Sequence, residues 1–245
     1  MNVALLGASK GIGRALARAM AERGDRLVLL GRDVADLEKS ARDLEARGAA
    51  AEVGVVACDL RQPEGFKAAL ASAAKQLGRI ETVVVSAGAF ATQEALEADP
   101  RRAQEVLDVD FTGTVLFCEE ARKRLLGSGG GTLCVFSSVA GERGRKPVIL
   151  YGAAKAGLSH YLEGLDHKFH TQGLRVVCVK PGFVKTSMTQ GLKPPPFAGE
   201  PEGVAREVLQ AIDRSTPVLY TPGMWRWVML VIRNLPRFVM RRIGF

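Results

Sequence analysis

A tyrosine and a lysine stand four residues apart in YGAAK (Tyr151 and Lys155), and a serine, Ser138, lies upstream in FSSVAG. On a helix that spacing puts the phenol and the ammonium on one face. A cation beside a phenol favours the phenolate and is expected to pull the tyrosine below its reference pKa of about 10. A hydroxyl on a neighbouring strand end can then hold a carbonyl oxygen next to that phenol. Such a set gives a proton to a ketone oxygen, or takes one from an alcohol, near neutral pH. Singly, a serine after a strand is a common turn former and a Tyr/Lys pair is common surface decoration. The reading rests on all three in this order.

These side chains need elements to hold them. Val3 to Gly7 is an apolar run that reads as a buried strand. It leads into Gly7-Ala8-Ser9-Lys10-Gly11-Ile12-Gly13 and then a helical pattern from Arg14 to Arg23. Strand, glycine turn and helix are the setting of a dinucleotide site: glycines admit the pyrophosphate, and the helix N-terminus supplies amide donors. The spacing is G-x-x-x-G-x-G rather than G-x-G-x-x-G, and alone it is a weak signal. Further strands are expected at 26–30, 51–57, 80–85, 131–136, 174–179 and 216–221, with helical patterns between them. Near-continuous runs such as Thr82-Val83-Val84-Val85 suit strands covered on both faces. The expected fold class is α/β, a Rossmann-type doubly wound parallel sheet of seven strands in one domain, with ligands at the strands' carboxyl ends.

Composition agrees. A chain of 245 residues can bury a substantial core. The first strand begins at Asn2, no uncharged apolar run reaches the ~20 residues of a bilayer span, and a cytoplasmic location is expected. Cys58, Cys118, Cys134 and Cys178 fall in apolar patterns without metal-ligand spacing and read as buried thiols. No metal site is expected.

The chain resembles the short-chain dehydrogenase/reductase family. The matching stretches are GASKGIG (7–13), CDL (58–60), SAG (86–88), DFTG (110–113), FSSVAG (136–141), YGAAK (151–155) and KPGFVKT (180–186), in the family's order. The resemblance implies an NAD(P)-dependent oxidoreductase with Ser138, Tyr151 and Lys155 catalytic, and with Lys155 also binding the nicotinamide ribose. It implies cofactor contacts from Gly7, Ser9, Lys10, Gly11, Ile12 and Gly13. Asp59 and Leu60 would meet the adenine and Ser86, Ala87 and Gly88 would line the cofactor. Pro181, Gly182, Val184 and Thr186 would hold the nicotinamide end. A homodimer or homotetramer packed through the Tyr151 helix is also implied. Cofactor choice follows from charge. An acid at the end of the second strand would bind the ribose diol of NAD; here Gly31 stands at that position with Arg32 next, and Lys10 projects from the glycine turn. Two cations without a carboxylate point to NADP(H). Asp33 is expected to cap the following helix.

Two departures stand out. Ser86 replaces an asparagine common in the family, in a region that acts through backbone. Asp110 replaces the asparagine that, in the family, helps hold a water leading to the lysine. A carboxylate there can pair with Lys155, which leaves open a non-catalytic NADP-binding regulatory or scaffolding protein.

The substrate must come from elsewhere in the chain. Ser187 to Pro201 is rich in Pro, Gly and Lys and reads as the family's mobile lid. Gly141-Glu142-Arg143-Gly144-Arg145-Lys146 is a basic cluster that could receive an anion. The chain divides into 1–222, with the catalytic and lid segments, and a basic amphipathic tail, 223–245. The segment from Thr221 to Phe245 holds two tryptophans, five arginines and no acid, and carries most of the net charge of +8. Arg226, Arg233, Arg237 and Arg241 cluster on a helical wheel, away from Trp227, Val228, Val231, Leu235 and Val239, and Pro236 must interrupt the helix. Such a helix can lie at the inner face of a membrane, or pack on the cleft or a subunit; a charge this local argues against a nucleic-acid partner. SSVAGERGRK with YGAAKAGL, and the tail, are similar to the corresponding parts of decaprenylphosphoryl-2-keto-ribose reductases, which implies a keto-sugar on a polyprenyl phosphate. The alternative enzyme reading is a 3-oxoacyl or small-ketone reductase.

Overall fold

Seven apolar runs form one fully parallel sheet in the computed structural model, which describes residues 1–49 and 51–243. The strands are β1 (Asn2–Leu6), β2 (Arg26–Gly31), β3 (Gly54–Ala57), β4 (Thr82–Val85), β5 (Gly131–Phe136), β6 (Leu174–Pro181) and β7 (Val218–Thr221). Three begin two or three residues later than the apolar patterns suggested. Their order is β3-β2-β1-β4-β5-β6-β7. The winding reverses between β1 and β4, whose registers pair Leu6 with Val85. A crevice therefore opens at their carboxyl ends, where Gly7 and Ser86 follow.

The helices that cover the sheet are α1 (Gly11–Glu22), α2 (Val34–Ala46), α3 (Phe66–Leu77), α4 (Gln93–Ala98), α5 (Pro100–Leu107), α6 (Thr114–Gly127), α7 (Ile149–Phe169) and α8 (Pro201–Asp213). A short π-helical turn, Asp108–Gly113, joins α5 to α6. Alternate side chains of each strand feed two cores. One is built on Phe66, Phe117, Leu125 and Leu158, the other on Leu16, Met20, Leu37 and Val208. Burial on both faces is why the strands read as unbroken Val/Leu runs. All four cysteines are buried with free thiols.

Asp33 caps α2, its carboxylate accepting from Asp36 N–H. The tail forms α9 (Met224–Asn234) and α10 (Arg237–Arg242), with Pro236 at the break; Gly244 and Phe245 lie outside the described residues. Trp225, Met229 and Ile232 of α9 are buried on Val139, Phe183 and Tyr220. The stripe the tail buries is thus one residue set away from Trp227 and Val231, which face outward, each 62% exposed. No described helix is long and apolar enough to cross a membrane.

Candidate active site

Tyr151 and Lys155 lie one turn apart near the start of α7, and Ser138 ends the loop that leaves β5. Gln93, reaching over from α4, accepts hydrogen bonds from the Ile149 and Leu150 N–H groups at 2.9 and 3.2 Å. It thereby fixes the first turn of α7. One turn further on, Ser137 Oγ donates to the Lys155 carbonyl at 2.9 Å and ties α7 to β5. Phe90 packs edge-on against the Tyr151 ring, centroids 5.2 Å apart. Ser138 Oγ accepts from Ala140 N–H at 3.0 Å, which leaves its own proton free to donate.

Lys155 and Asp110 make a buried ion pair. Lys155 Nζ is 3.0 Å from Asp110 Oδ1 and donates to the Phe136 carbonyl at 3.1 Å. Asp110 comes from the π-helical turn, is fully buried, and also accepts from Ala89 N–H at 3.2 Å. Its second oxygen, Oδ2, has no partner. Burial pushes the Asp110 carboxyl up, and Lys155 opposes. Burial also works against the charge on Lys155, but Asp110 and Tyr151 hold that ammonium above its ordinary value. Tyr151 corrects the expectation from sequence: its phenol is raised, not lowered. Burial is the largest cause and Asp110 adds to it, while Lys155 and the Ser138 hydroxyl pull the other way. The lysine acts in the expected sense, but the carboxylate 3.0 Å from it cancels much of its field.

These side chains line a cavity of about 550 Å³. A second hollow of about 530 Å³ continues it past the glycine turn, and Ser86, Ala87 and Gly88 wall both. The first also touches Gly11, Ile12, Gly13, Asp110, Pro181, Gly182, Val184 and Thr186. The second reaches Gly7, Ser9, Lys10, Arg32, Asp59 and Leu60. The residues singled out in the sequence for catalysis and cofactor binding thus fall along one trench. The trench fits a dinucleotide on two counts. A Cβ at Gly13 would stand 2.1 Å from the Gly7 carbonyl oxygen, so the turn is tight against α1. And α1 begins with no side-chain cap, leaving its first amide donors to the trench. Ser86 Oγ donates toward the Leu6 and Gly7 carbonyls at 3.1 and 3.2 Å, knitting the two strand ends together.

Lys10 and Arg32 are less free than the sequence implied. Lys10 Nζ lies 3.6 Å from Asp36, and Arg32 lies 3.7 Å from Glu105. Sequence reasoning did not find Gln93, Phe90 or Ser137. Only Phe90 and Ser137 carry a local signal, as neighbours of SAG and Ser138; Gln93 meets α7 from 56 residues earlier in the chain.

The sequence profile of the short chain dehydrogenase family matches residues 1–196. An uncharacterized oxidoreductase of Mycobacterium tuberculosis is 34% identical over 98% of this chain and 96% of its own length. The 3-oxoacyl-[acyl-carrier-protein] reductase of Bos taurus is 31% identical over 77% of this chain and 78% of its own. Among solved structures, a single-residue variant of actinorhodin polyketide ketoreductase with NADPH shares the fold, with a TM-score of 0.80 at 23% identity, covering 90% of this chain and 95% of that one. Fold, trench and relatives define an NAD(P)-binding oxidoreductase class. The chain belongs to the short chain dehydrogenase family.

Proposed function

We propose that the protein is an NADP(H)-dependent reductase that interconverts a ketone and a secondary alcohol on an amphipathic or lipid-linked substrate. The observation that carries this reading is the meeting of Ser138, Tyr151 and Lys155 on one wall of a cavity that runs on toward Arg32. A nicotinamide cofactor bound in the trench would supply hydride chemistry at the carbonyl carbon, in either direction. Ser138 keeps its proton, donates a hydrogen bond through its hydroxyl to the carbonyl oxygen and so orients it. Tyr151 gives that oxygen its phenolic proton. Lys155 stabilises the phenolate left behind, which regains a proton from solvent. In the oxidative direction Tyr151 takes the alcohol proton instead. Gly7 through Gly13 would hold the pyrophosphate, Asp59 and Leu60 the adenine, and Pro181, Gly182, Val184 and Thr186 the nicotinamide end.

NADP(H) is supported by what the acids of the trench already hold. Asp33 caps α2, Asp59 binds Arg61, Asp36 faces Lys10, and Glu105 faces both Arg32 and Arg61. No carboxylate stands at Gly31 to take a ribose diol. A 2′-phosphate would offer Lys10 and Arg32 a stronger partner than these long, exposed pairs, which are worth about 0–1 kcal/mol each. The lipid-linked substrate class rests on the apolar lid residues Met188 and Leu192 at the cavity wall and on the arginine-rich tail, which suits contact with an anionic lipid surface. A keto-sugar on a polyprenyl phosphate belongs to that class. A second reading, a 3-oxoacyl or small-ketone reductase, is favoured by the similarity to the bovine enzyme and by the packing of Trp225, Met229 and Ile232 on the body of the protein.

Fluorescence titration with NADPH and NADH, followed by turnover of a ketone panel from small diketones through 3-oxoacyl thioesters to a keto-sugar polyprenyl phosphate, tests the proposal. Arg32→Ala is expected to weaken NADPH far more than NADH. Tyr151→Phe is expected to lower turnover by roughly 10²–10⁴-fold, the contribution of a general acid, while still binding NADPH. Equal effects of Arg32→Ala on both cofactors defeat the NADP(H) assignment, and an active Tyr151→Phe defeats the mechanism.

A further inference from the structure

The basic cluster between Ser138 and Tyr151 is sorted by the fold into different tasks. Glu142 binds Lys180 and faces Arg233. Arg143 donates to the Leu235 carbonyl at 2.8 Å and Lys146 to the Arg241 carbonyl at 2.7 Å, so both are spent strapping the tail onto the loop. Arg145, between them, lines the active-site cavity instead. Its guanidinium Nε is shut from solvent with no hydrogen-bond partner. Burial alone acts on it, lowering its proton affinity, with no acid near enough to restore it. The side chain is half-buried, and its unpartnered Nε at the cavity wall is a donor that a ligand oxyanion would satisfy, with a terminal nitrogen giving the second of two parallel hydrogen bonds.

The rest of the wall favours the same sign. The charged groups lining the cavity are Lys10, Arg145, Lys155 and Lys193 against Glu94 and Asp110. Lys155 and Asp110 cancel each other, and Lys10 sits at the glycine turn. Arg145 and Lys193 therefore face the substrate end with only Glu94 opposed to them, and neither stands in an ion pair with it. Val148 N–H donates to the Arg145 carbonyl at 3.3 Å, closing a turn just ahead of α7. The guanidinium is thus carried on the segment that leads directly to Tyr151.

We infer that Arg145 is the specificity-determining residue of this site, binding a phosphate or carboxylate oxyanion of the substrate while its carbonyl lies at Ser138 and Tyr151. The inference rests on the ketone-reductase reading for its placement of the carbonyl, but the anion subsite can be read without turnover. Arg143 and Lys146 set the loop, and Lys193, on the lid, lies within the same wall to share the charge.

The test has two arms on the full chain with NADPH bound. Calorimetry measures the affinity of n-octyl phosphate, n-octanoate and inorganic phosphate for wild type, Arg145→Gln and Arg145→Lys. At least a tenfold weaker affinity for the octyl oxyanions in Arg145→Gln, partly restored in Arg145→Lys, is expected. The ranking of octyl phosphate, octanoate and free phosphate tells a lipid phosphate from a carboxylate or a free anion. In the second arm, kcat/KM is compared for 4-oxopentanoate and its methyl ester. The ratio of acid to ester is expected to fall at least tenfold in Arg145→Gln. Equal oxyanion affinity in wild type and Arg145→Gln overturns the inference, whatever the turnover. Absence of turnover on both ketones, with the calorimetric difference intact, counts against the reductase reading and leaves the anion subsite standing.

Discussion

At the scale of single residues, the informative position is Asp110. Its carboxylate sits 3.0 Å from Lys155 Nζ and is wholly buried. The ammonium that should favour the Tyr151 phenolate is therefore partly neutralised, and Asp110 itself adds to the rise of the phenol. In the proposed alcohol oxidation the phenolate is the base, so kcat/KM is expected to climb as pH rises through the phenol's pKa. Asp110→Asn keeps an oxygen that can accept from Lys155 and Ala89 but removes the charge, so the phenol ionises at lower pH. The rising limb of the pH profile is expected to move toward acid in Asp110→Asn, read from initial rates of alcohol oxidation between about pH 6 and 10. A limb that stays in place would show that Asp110 does not act on Tyr151. Tight NADPH binding by a wild type without turnover, together with an active Asp110→Asn, would mark the natural protein as a cofactor-binding regulator.

At the scale of elements, α7 carries Tyr151 and Lys155, and its first turn is held from a distance. Gln93 satisfies two backbone donors there and is itself buried, at 6% exposure. Truncation to alanine leaves those donors without a partner, at a cost of about 1–3 kcal/mol. Gln93→Ala is expected to unfold at correspondingly lower denaturant and to lose kcat more than cofactor affinity, because Tyr151 stands at the loosened turn and the glycine turn does not. A stability loss with kcat unchanged would confine Gln93 to folding. The same element shows what a sequence can and cannot reveal. Tyr151, Lys155 and Ser138 were legible because one helical turn and one strand end place them by local geometry. The seven strands were legible because burial on both faces writes itself as unbroken apolar runs. Gln93 was not, since its partner lies 56 residues on, and no periodicity records a side chain that crosses between helices. The direction of the Tyr151 shift was missed for a related reason: the spacing names the nearest cation, while the burial and the Asp110 carboxylate that offset it come from elsewhere in the chain.

At the scale of the whole molecule, the tail joins the catalytic end to the outer surface. Trp225 packs so closely on Gly182 that a Cβ there would stand 2.0 Å from the indole nitrogen. Trp225 also meets Phe197 of the lid, ring centroids 5.1 Å apart. The buried side of α9 is thus part of the wall behind Gly182 and Phe183, which helical periodicity alone could not assign to this face. The outward side carries Met224, Trp227, Leu230 and Val231, with Phe238 on α10, all exposed. Arg226, Arg233, Arg237, Arg241 and Arg242 border them, and no acid follows Asp213 in the chain. An anionic bilayer surface complements both features, with basic residues worth about 1 kcal/mol each near such a surface. Deleting residues 223–245 would be a poor test, since it removes Trp225, Met229 and Ile232 from a packed core. Replacing only the outward residues, Trp227→Ser with Val231→Ser and Phe238→Ser, leaves that core in place. Cosedimentation with phosphatidylglycerol vesicles is expected to fall at least tenfold in the triple variant. In wild type it is expected to weaken steeply toward 1 M salt, where screening shortens to about 3 Å. Neutral phosphatidylcholine vesicles should capture little protein. Equal sedimentation of wild type and triple variant, or none of either, would place the tail's function inside the protein, as the cover of its own active site.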